Sequence, residues 1–554
     1  MSPTAAGLLQ VGLLVVLLAV AYKPLGDYMA RVFTSTRHLR IERAIYRVVR
    51  VDPGSEQHWK TYASAVLGFS AVSVILLYLL QRLQAVLPFN LGRGAVEPGI
   101  AFNTAVSFVT NTNWQSYIPE KVMGHTVQMV GLTVQNFLSA AAGLAVAIAL
   151  IRGFVRARTD RLGNFWVDLT RGTIRILLPI SFVFAIVLIA LGMIQSLKSG
   201  VDVTTVDGQG NRIALAPTAS QEVIKELGTN GGGIFNANSA HPFENPNAWT
   251  NLITNFLILV IPVALTRTFG QLVGNKKQGY TLLSVMAVLW GAMLAVIWWA
   301  EAHPNGPAAL LAGGSMEGKE VRFGIAGSAL WADSTTGTST GAVNSMHDSF
   351  SGLGGGGVIL NMLFGEMTPG GVGTGLYSIL VLAIITMFLA GLMVGRTPEY
   401  LGKKLGRREV TTAAIAILAM PTVVLIGSGI AIMLPSSASA IANSGLHGWS
   451  EVFYAYTSAS NNNGSAFAGI TVTNGWFQSS LGLCMLLGRF IPILAVLCLA
   501  GSLAEQKKVP ETAGTLPTTG ALFPAMLTGT IVLVAALTFV PALALGPIAE
   551  ALAA

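Results

Sequence analysis

The sequence Thr229-Asn230-Gly231-Gly232-Gly233 decides how the rest of this chain is interpreted. Three consecutive glycines contribute no side chains to packing, but they allow positive φ angles that turn backbone carbonyl oxygens toward a common point. Irregular backbone at membrane depth is tolerated where it lines a polar cavity or is enclosed by protein. We therefore interpret this stretch as an ion-coordinating loop, and the alternative is a turn at the protein surface.

The composition of the whole chain is that of an integral membrane protein. Of its 554 residues, 52% are hydrophobic and only 10% are charged, whereas soluble domains carry about 25% charged residues. The net charge of +8 would suggest a nucleic-acid partner in a soluble protein, but in a membrane protein it reflects basic cytoplasmic loops. We therefore expect a lipid bilayer, and no nucleic acid, among the partners.

Ten apolar segments are long enough to cross the roughly 30 Å hydrocarbon core of a bilayer. Basic loops alternate along the chain with loops rich in Gly, Asn, Thr and Ser, and the positive-inside tendency places the basic loops in the cytoplasm. This alternation predicts that both termini lie outside the cytoplasm. The predicted spans are residues 5–26, 62–85, 126–151, 173–194, 249–269, 279–300, 373–395, 411–434, 473–501 and 519–546.

The polar loops repeat four times, roughly 110 to 125 residues apart, which indicates a repeated architecture. Each repeat has a helical stretch too short to span, then a run of Thr, Ser, Asn and Gly. We predict an all-α polytopic membrane protein in which four span–pore helix–filter loop–span units surround one pore. The predicted units are residues 62–172, 173–278, 279–410 and 411–518, flanked by an extra first helix with its basic loop at 1–61 and an extra last helix at 519–554.

The chemistry of these loops predicts a site for a monovalent cation. A helix that re-enters from outside points its C-terminal end, where the helix dipole is negative, toward the mid-membrane. Four converging loops would offer carbonyl oxygens in place of the water shell of the ion. The core of each run lacks Lys, Arg, Asp and Glu, whereas sites for Ca²⁺ and Mg²⁺ usually recruit carboxylates. The prediction is a potassium filter, and the alternative is polar loops that only fill gaps between helices.

Several strings resemble the potassium-binding component of the bacterial Kdp potassium-transporting P-type ATPases. They lie at 111–115, 229–246 and 457–467, and the resemblance continues in order over essentially the whole chain. The family is related in plan to the Trk/Ktr/HKT potassium transporters. The resemblance implies a non-catalytic subunit of the bacterial inner membrane that binds extracytoplasmic K⁺. This subunit would pass the ion to a partner P-type ATPase subunit, with small accessory subunits in the same complex.

Carried over position by position, the resemblance implies a potassium filter of three residues from each repeat, named here filter loops 1 to 4. Gln115 matches a family position associated with affinity and selectivity, and Gly232 lies beside the filter in the second repeat. The four filter loops are Asn111, Thr112 and Asn113; Thr229, Asn230 and Gly231; Ser339, Thr340 and Gly341; and Asn462, Asn463 and Gly464.

A second glycine-rich region, residues 352–375, falls within the second span of the third repeat and would interrupt a continuous helix. The functional hypothesis is an intramembrane loop below the filter that gates or redirects the ion, and the alternative is a simple kink. The residues assigned to this loop are Gly354, Gly355, Gly356, Glu366, Gly371 and Gly373.

Arg489 is a charged residue in an otherwise apolar span, where a cation is costly unless it is paired or faces water. We expect its side chain to face the pore below the filter as an electrostatic barrier, with Glu366 as a candidate partner. The alternative is a side chain that extends to the membrane interface. Four other residues match no metal-binding spacing and are expected to cap helices or line the mouth of the pore: His241, Glu244, His347 and Asp348.

No nucleotide or organic cofactor is expected to bind this chain. Residues 352–357 satisfy the G-x-G-x-x-G pattern but follow no predicted strand, so a dinucleotide site is disfavoured. Because the chain has no Asp-Lys-Thr-Gly phosphorylation string, we expect a partner to hydrolyse ATP. Two functions remain: an ion-binding subunit of an ATP-driven pump, and a stand-alone Trk/Ktr-like potassium channel or uniporter. A secondary transporter with inverted repeats is disfavoured because the four units share one orientation.

Overall fold

The computed structural model describes residues 2–303, 314–510 and 515–553. Within them, ten helices are long and apolar enough to cross a membrane, and each overlaps one predicted span. The prediction of a ten-span membrane protein is therefore confirmed. The spanning helices are Pro3–Thr34, Trp59–Arg82, Val127–Val155, Phe165–Ala190, Ala248–Leu272, Lys276–Ala302, Thr374–Met393, Arg407–Met433, Gly475–Glu505 and Leu522–Ala544.

In the described residues, a shorter helix directly precedes each of the four filter loops. These helices have 10 to 17 residues and lie between the second and third, fourth and fifth, sixth and seventh, and eighth and ninth spanning helices. They are the predicted pore helices, and the side on which they begin is called the filter side. Pore helix 1 starts with Pro98 at its first position, and the Glu97 side chain accepts a hydrogen bond from the Ile100 amide. Pore helices 1 to 4 are Pro98–Val109, Thr218–Leu227, Gly324–Thr336 and Gly445–Asn461.

The second span of the third repeat is broken, as the glycine content predicted. A helix at Gly352–Leu363 is followed by a non-helical segment, residues 364–373, and then by the spanning helix Thr374–Met393. The segment 364–373 is called the broken-span loop. It is almost entirely buried, so its irregular backbone is enclosed by protein rather than by lipid.

In the part of the chain that the structure describes, two short antiparallel hairpins accompany the helices. The strands Gly200–Thr204 and Gly210–Ala214 pair in the connection before pore helix 2, and Glu399–Tyr400 pairs with Lys403–Lys404 on the opposite side. The remaining short α-helices are Arg40–Val48, Pro119–Val122, Pro435–Ala438 and Pro547–Ala553, and short 3₁₀ turns lie at Gln84–Val86, Asn238–Ala240 and His347–Ser349.

Burial separates the spanning helices into an inner and an outer set. The apolar parts of Val127–Val155 and Ala248–Leu272 are each 83% buried, whereas those of Pro3–Thr34 and Phe165–Ala190 are 11% and 22% buried. Apolar helices that are enclosed on all sides form the centre of a bundle, and those with exposed apolar faces suit contact with lipid. The inner helices thus surround the region where the pore helices end.

Candidate potassium filter

Filter loops 1 and 2 are joined directly through their asparagines. The Asn111 amide nitrogen donates to the Thr229 carbonyl oxygen at 2.7 Å, and the Asn230 amide nitrogen donates to the Asn111 amide oxygen at 2.5 Å. The Ser139 hydroxyl, on the third spanning helix, donates to the same Asn111 oxygen at 2.7 Å. Residues separated by 118 positions in sequence are therefore held at one place by a buried polar network.

The remaining neighbours in the ring meet through glycine. A Cβ atom on Gly231 would overlap the Thr340 carbonyl oxygen of filter loop 3. In the same way, a Cβ on Gly341 would overlap the Asn463 carbonyl oxygen, and a Cβ on Gly464 would overlap the Thr112 carbonyl oxygen. Each loop thus contacts the next in the order 2, 3, 4, 1, and the contact between loops 1 and 2 closes the ring.

The third residue of every filter loop has a positive φ angle. The values are 57° at Asn113, 82° at Gly231, 74° at Gly341 and 99° at Gly464. Asparagine is enriched among the few non-glycine residues that adopt this conformation, so Asn113 fits the position that glycine occupies in the other repeats. The register of the four loops predicted from sequence agrees with this backbone geometry.

The middle residues of the four loops are completely buried, with 0% of each exposed. Among the described residues, none donates a hydrogen bond to the carbonyl oxygen of any of the four. A buried carbonyl without a partner is costly, and a cation at the centre of the ring would remove that cost. The four middle residues are Thr112, Asn230, Thr340 and Asn463.

Backbone amides of these loops are occupied by the pore helices behind them. The Thr112 amide donates to the Ser107 carbonyl oxygen at 2.9 Å, and the Asn230 amide donates to the Lys225 carbonyl oxygen at 2.7 Å. Loop 4 repeats the arrangement, because the Asn463 amide donates to a pore-helix carbonyl at 2.9 Å. Since the donors point backward, the carbonyl oxygens are left for the pore axis.

Filter loop 3 differs from the others at its first residue. The first residues of the other loops have positive φ angles of 66° at Asn111, 47° at Thr229 and 58° at Asn462, whereas Ser339 does not. The Ser339 hydroxyl instead donates to a carboxylate oxygen of Glu366. The third loop is therefore tied to the broken-span loop through its side chain.

Glu366 is buried directly against the filter, with 3% of the residue exposed. Besides the contact with Ser339, its carboxylate accepts a hydrogen bond from the Asn463 amide nitrogen at 2.9 Å. The expected direct ion pair with Arg489 does not form: in the described part of the chain Arg489 makes no ion pair within 4.0 Å and donates to the Ser139 carbonyl oxygen at 3.3 Å. Its charge acts on the Glu366 carboxylate only at longer range. Two polar donors from the filter already satisfy the carboxylate, so the arginine contacts the neighbouring third spanning helix.

The broken-span loop lies under filter loop 2 as well. The Val372 amide donates to the Thr229 hydroxyl at 2.8 Å. Gly373 has a φ of 87°, and a Cβ there would overlap the Gly143 carbonyl oxygen of the third spanning helix. A Cβ on Gly371 would approach the Ser339 hydroxyl within 2.7 Å. These three contacts place the loop directly behind filter loops 2 and 3, where no larger residue fits.

Three other glycines assigned to this loop lie elsewhere. Gly354, Gly355 and Gly356 are helical residues within Gly352–Leu363, near the filter-side end of that helix. The helix begins there because the Ser351 hydroxyl accepts a hydrogen bond from the Gly354 amide at 3.1 Å. The small size of the three glycines allows neighbouring segments to pack closely. For example, the Pro547 ring lies 3.0 Å from the Cβ position of Gly356. The assignment of these three glycines to an intramembrane gate is therefore wrong.

Gln115 and Gly232 lie on the filter side of the ring. The Gln115 amide nitrogen donates to the Gly233 carbonyl oxygen and to the Tyr117 hydroxyl, both at 3.0 Å. Gly232, with a φ of 71°, leaves 3.2 Å between its Cβ position and the Asn113 carbonyl oxygen. Both residues line a cavity of about 650 Å³ that also reaches Asn113, Gly341 and Gly464 of filter loops 1, 3 and 4 from this side.

A second cavity, of about 110 Å³, lies on the other side of the ring. Ser339, Asn462 and Glu366 line it next to the filter. It continues between spanning helices, past Tyr377, to Thr538 on the last spanning helix. The ring of loops thus separates two cavities. The inner one is polar next to the filter, mostly apolar beyond it, and leads sideways.

Sequence reasoning missed a buried ionic cluster behind filter loop 2. The Lys225 ammonium lies 2.6 Å from a Glu222 carboxylate oxygen and 2.7 Å from a Glu244 carboxylate oxygen, and all three side chains are at most 1% exposed. Glu244 also accepts hydrogen bonds from the Ile234 and Phe235 amides at 3.0 and 2.9 Å. The i, i+3 spacing of Glu222 and Lys225 was the available signal. Glu244 does not cap a helix as expected, because Ile234 and Phe235 lie in the non-helical segment that follows filter loop 2.

Comparison with known proteins agrees with this architecture. The profile of the family described as potassium-transporting ATPase A subunit matches residues 12–552. The chain is 64% identical to the potassium-transporting ATPase potassium-binding subunit of Rhodococcus erythropolis and 58% identical to that of Streptomyces coelicolor, with 100% of both chains covered in each case. The crystal structure of the potassium transporter TrkH from Vibrio parahaemolyticus matches with a TM-score of 0.54 at 12% identity, over 88% of this chain and 96% of that chain. At 12% identity, this similarity is one of fold alone.

Proposed function

This chain belongs to the potassium-transporting ATPase A subunit family, and on that basis we propose how its four filter loops bind and deliver K⁺. It is the potassium-binding subunit of a potassium-transporting ATPase, and K⁺ is the transported ion. In the proposed mechanism, K⁺ enters the filter-side cavity and loses water as it reaches the ring. The carbonyl oxygens of the four middle residues then replace its hydration shell.

The observation that carries this proposal is the set of four buried carbonyls without hydrogen-bond donors among the described residues. They come from equivalent positions of four repeats and are fully buried. The residues of the ring itself are uncharged. Neutral oxygens provide little compensation for a divalent ion but suffice for a weakly hydrated monovalent one. Glu366, beside the ring, would hold filter loops 3 and 4 in place through its hydrogen bonds with Ser339 and Asn463.

Below the ring, the ion is proposed to leave sideways. The broken-span loop blocks a straight path behind loops 2 and 3, whereas the inner cavity extends from Glu366 toward Thr538 on the last spanning helix. Arg489, on the ninth spanning helix and 3% exposed, would oppose passage of a cation toward the third spanning helix. A partner P-type ATPase subunit would receive the ion at the outer end of this route.

The partner subunit is proposed to hydrolyse ATP, and small accessory subunits complete the complex. The chain is a multi-pass membrane protein. We place it in the bacterial inner membrane with the filter side and both termini outside the cytoplasm. The opposite side carries the arginine-rich connections, such as residues 37–50 and 396–408, which supports this orientation.

Reconstitution with and without the partner tests the proposed division of labour. The chain is purified with its partner ATPase subunit, and K⁺-stimulated ATP hydrolysis and ⁸⁶Rb⁺ uptake into liposomes are measured. We expect both activities to require both chains. Rapid ⁸⁶Rb⁺ flux through liposomes that hold this chain alone, unaffected by ATP or by the partner, would instead support a stand-alone channel.

A further inference from the structure

Four ionisable side chains meet at the filter-side surface, away from the ring of filter loops. His447 and Glu451 lie one turn apart at the start of pore helix 4, Asp348 lies in the 3₁₀ turn His347–Ser349, and Glu550 belongs to the last short helix. The His447 Nε2 atom is 3.1 Å from an Asp348 oxygen, and its Nδ1 atom is 2.9 Å from a Glu550 oxygen. Three separate parts of the chain therefore converge on one imidazole ring.

Glu451 takes part in neither of these two ion pairs. The residue is 0% exposed, and one of its carboxylate oxygens accepts a hydrogen bond from the Asn443 amide nitrogen at 2.6 Å. Its other oxygen is buried and has no hydrogen-bond partner among the described residues. A buried carboxylate oxygen without a partner is costly, so a missing positive group is expected next to it.

We propose that Asp348, His447 and Glu451 form a binding site for a divalent transition-metal ion, with Zn²⁺ as the best-fitting example. One ligand atom from each of the three lies within 4.8 Å of the others. Ligand atoms of a tetrahedral zinc site lie about 3.3 Å apart, so small side-chain rotations bring them to coordinating distance. In the absence of metal, the Nε2–H of His447 donates to Asp348 and the Nδ1–H donates to Glu550. The cation would replace the Nε2 proton, which is released to solvent.

The donor set distinguishes among metal ions. Two carboxylates with an imidazole suit Zn²⁺ and its transition-metal neighbours, whereas Ca²⁺ and Mg²⁺ prefer oxygen ligands throughout. Charge favours a dication as well, because three carboxylates surround a single imidazole. Entry is open from the surface: the side chains of His447 and Asp348 are 23% and 15% exposed, while Glu451 forms the buried end of the site.

Such a site would link the third and fourth repeats outside the filter. Asp348 follows filter loop 3 by seven residues, and His447 begins the helix that ends at filter loop 4. A bound metal would therefore join the supports of two neighbouring filter loops. We expect it to stabilise the filter-side part of the protein against heat, without contacting K⁺.

Calorimetric titration of ZnCl₂ into the EDTA-washed, partner-bound protein tests the proposal. We expect one saturable site per chain, a higher melting temperature with Zn²⁺, and no competition from Mg²⁺ or Ca²⁺ at a tenfold higher concentration. Asp348→Asn, which changes a side chain near the surface, and Glu451→Gln should each weaken Zn²⁺ binding at least tenfold. His303→Gln, which alters a histidine that makes no ion pair within the described residues, is the matched control and should bind like the parent.

Two results would overturn the proposal. One is the lack of saturable Zn²⁺ binding by the parent protein. The other is binding by Asp348→Asn that equals binding by the parent and by His303→Gln. Because Asp348→Asn replaces a side chain near the surface, its folding is checked by K⁺-stimulated ATP hydrolysis, which the proposal expects to be retained. If Glu451→Gln does not fold, Asp348→Asn alone decides between these outcomes.

Discussion

Gly464 of filter loop 4 packs against the Thr112 carbonyl oxygen of filter loop 1 so closely that a Cβ atom would overlap it. This contact is one of four that join segments far apart in sequence into a ring. Gly464 has a φ of 99°, a conformation that side chains disfavour. Sterics and backbone conformation therefore both require glycine at this position.

Gly464→Ala is expected to weaken apparent K⁺ affinity by about tenfold or more. Left-handed backbone alone costs about 1 to 2 kcal/mol for a residue with a Cβ, and displacement of the Thr112 carbonyl adds to that. The measurement is K⁺-stimulated ATP hydrolysis of the partner complex over a range of K⁺ concentrations. Gly429→Ala is the matched control, because no atom lies within 4 Å of its Cβ position. Equal K⁺ affinity in the two variants would disprove the packing argument.

Gln115→Met is expected to lower K⁺ affinity by about fivefold while the maximal rate stays close to that of the parent. The variant keeps the side-chain volume but loses the hydrogen bonds to Gly233 and Tyr117, and one such bond contributes about 1 kcal/mol. Separate fits of apparent affinity and maximal ATPase rate provide the measurement. An unchanged K⁺ affinity would show that K⁺ binding does not depend on the hydrogen bonds of Gln115.

Lys225→Met is expected to destabilise the protein strongly. The substitution leaves the buried carboxylates of Glu222 and Glu244 without their cation, and breaking a buried ion pair costs about 3 to 5 kcal/mol. The measurement is thermal unfolding in detergent, with Lys198→Met as the control at an exposed position. A melting temperature equal to that of the control would show that the cluster does not support filter loop 2.

The two groups of glycines in the third repeat are expected to respond differently to alanine. Gly373→Ala should abolish K⁺ uptake, because its φ is 87° and a Cβ would overlap the third spanning helix. Gly355→Ala should retain uptake, because the residue is helical and only the edge of the Phe467 ring, 3.3 Å from its Cβ position, has to shift slightly. The two variants are compared by measuring ⁸⁶Rb⁺ uptake in cells that lack other potassium transporters. Loss of uptake in Gly355→Ala with retention in Gly373→Ala would reverse the assignment.

Arg489→Gln is expected to uncouple ion movement from ATP hydrolysis. Without the charge, K⁺ that has passed the filter meets a lower barrier, so passive ⁸⁶Rb⁺ leak should rise while ATP-driven accumulation falls. Flux into liposomes with and without ATP measures both quantities. Parent-like values for leak and accumulation would rule out a barrier role for this arginine.

Local signals in the sequence were sufficient for the ten spans and the four pore helices, whereas the register of the loops came from the family resemblance. Apolar length predicts a span, and the polar run after a short helix marks a filter loop. Contacts between distant segments were not predictable in this way. Glu366 could be paired with Arg489 on charge alone, and only the placement of Ser339 and Asn463 shows that neutral donors satisfy it.

Glycine-rich sequence was also ambiguous at Gly354, Gly355 and Gly356. The same residues that loosen a backbone can permit close helix packing, and the choice depended on Ser351 as a cap and on neighbours from other parts of the chain. Lys225 posed a related difficulty, because its partner Glu244 lies beyond the filter loop and meets it only in the folded protein.

An ion-density map of the partner complex, collected in Rb⁺ or Tl⁺ in place of K⁺, tests the central claim most directly. We predict density on the axis of the ring, in contact with the carbonyl oxygens of Thr112, Asn230, Thr340 and Asn463. We also predict that this density disappears when the ion is exchanged for Na⁺. Rb⁺ or Tl⁺ density that is confined to the cavities, with none among these four carbonyls, would contradict the account.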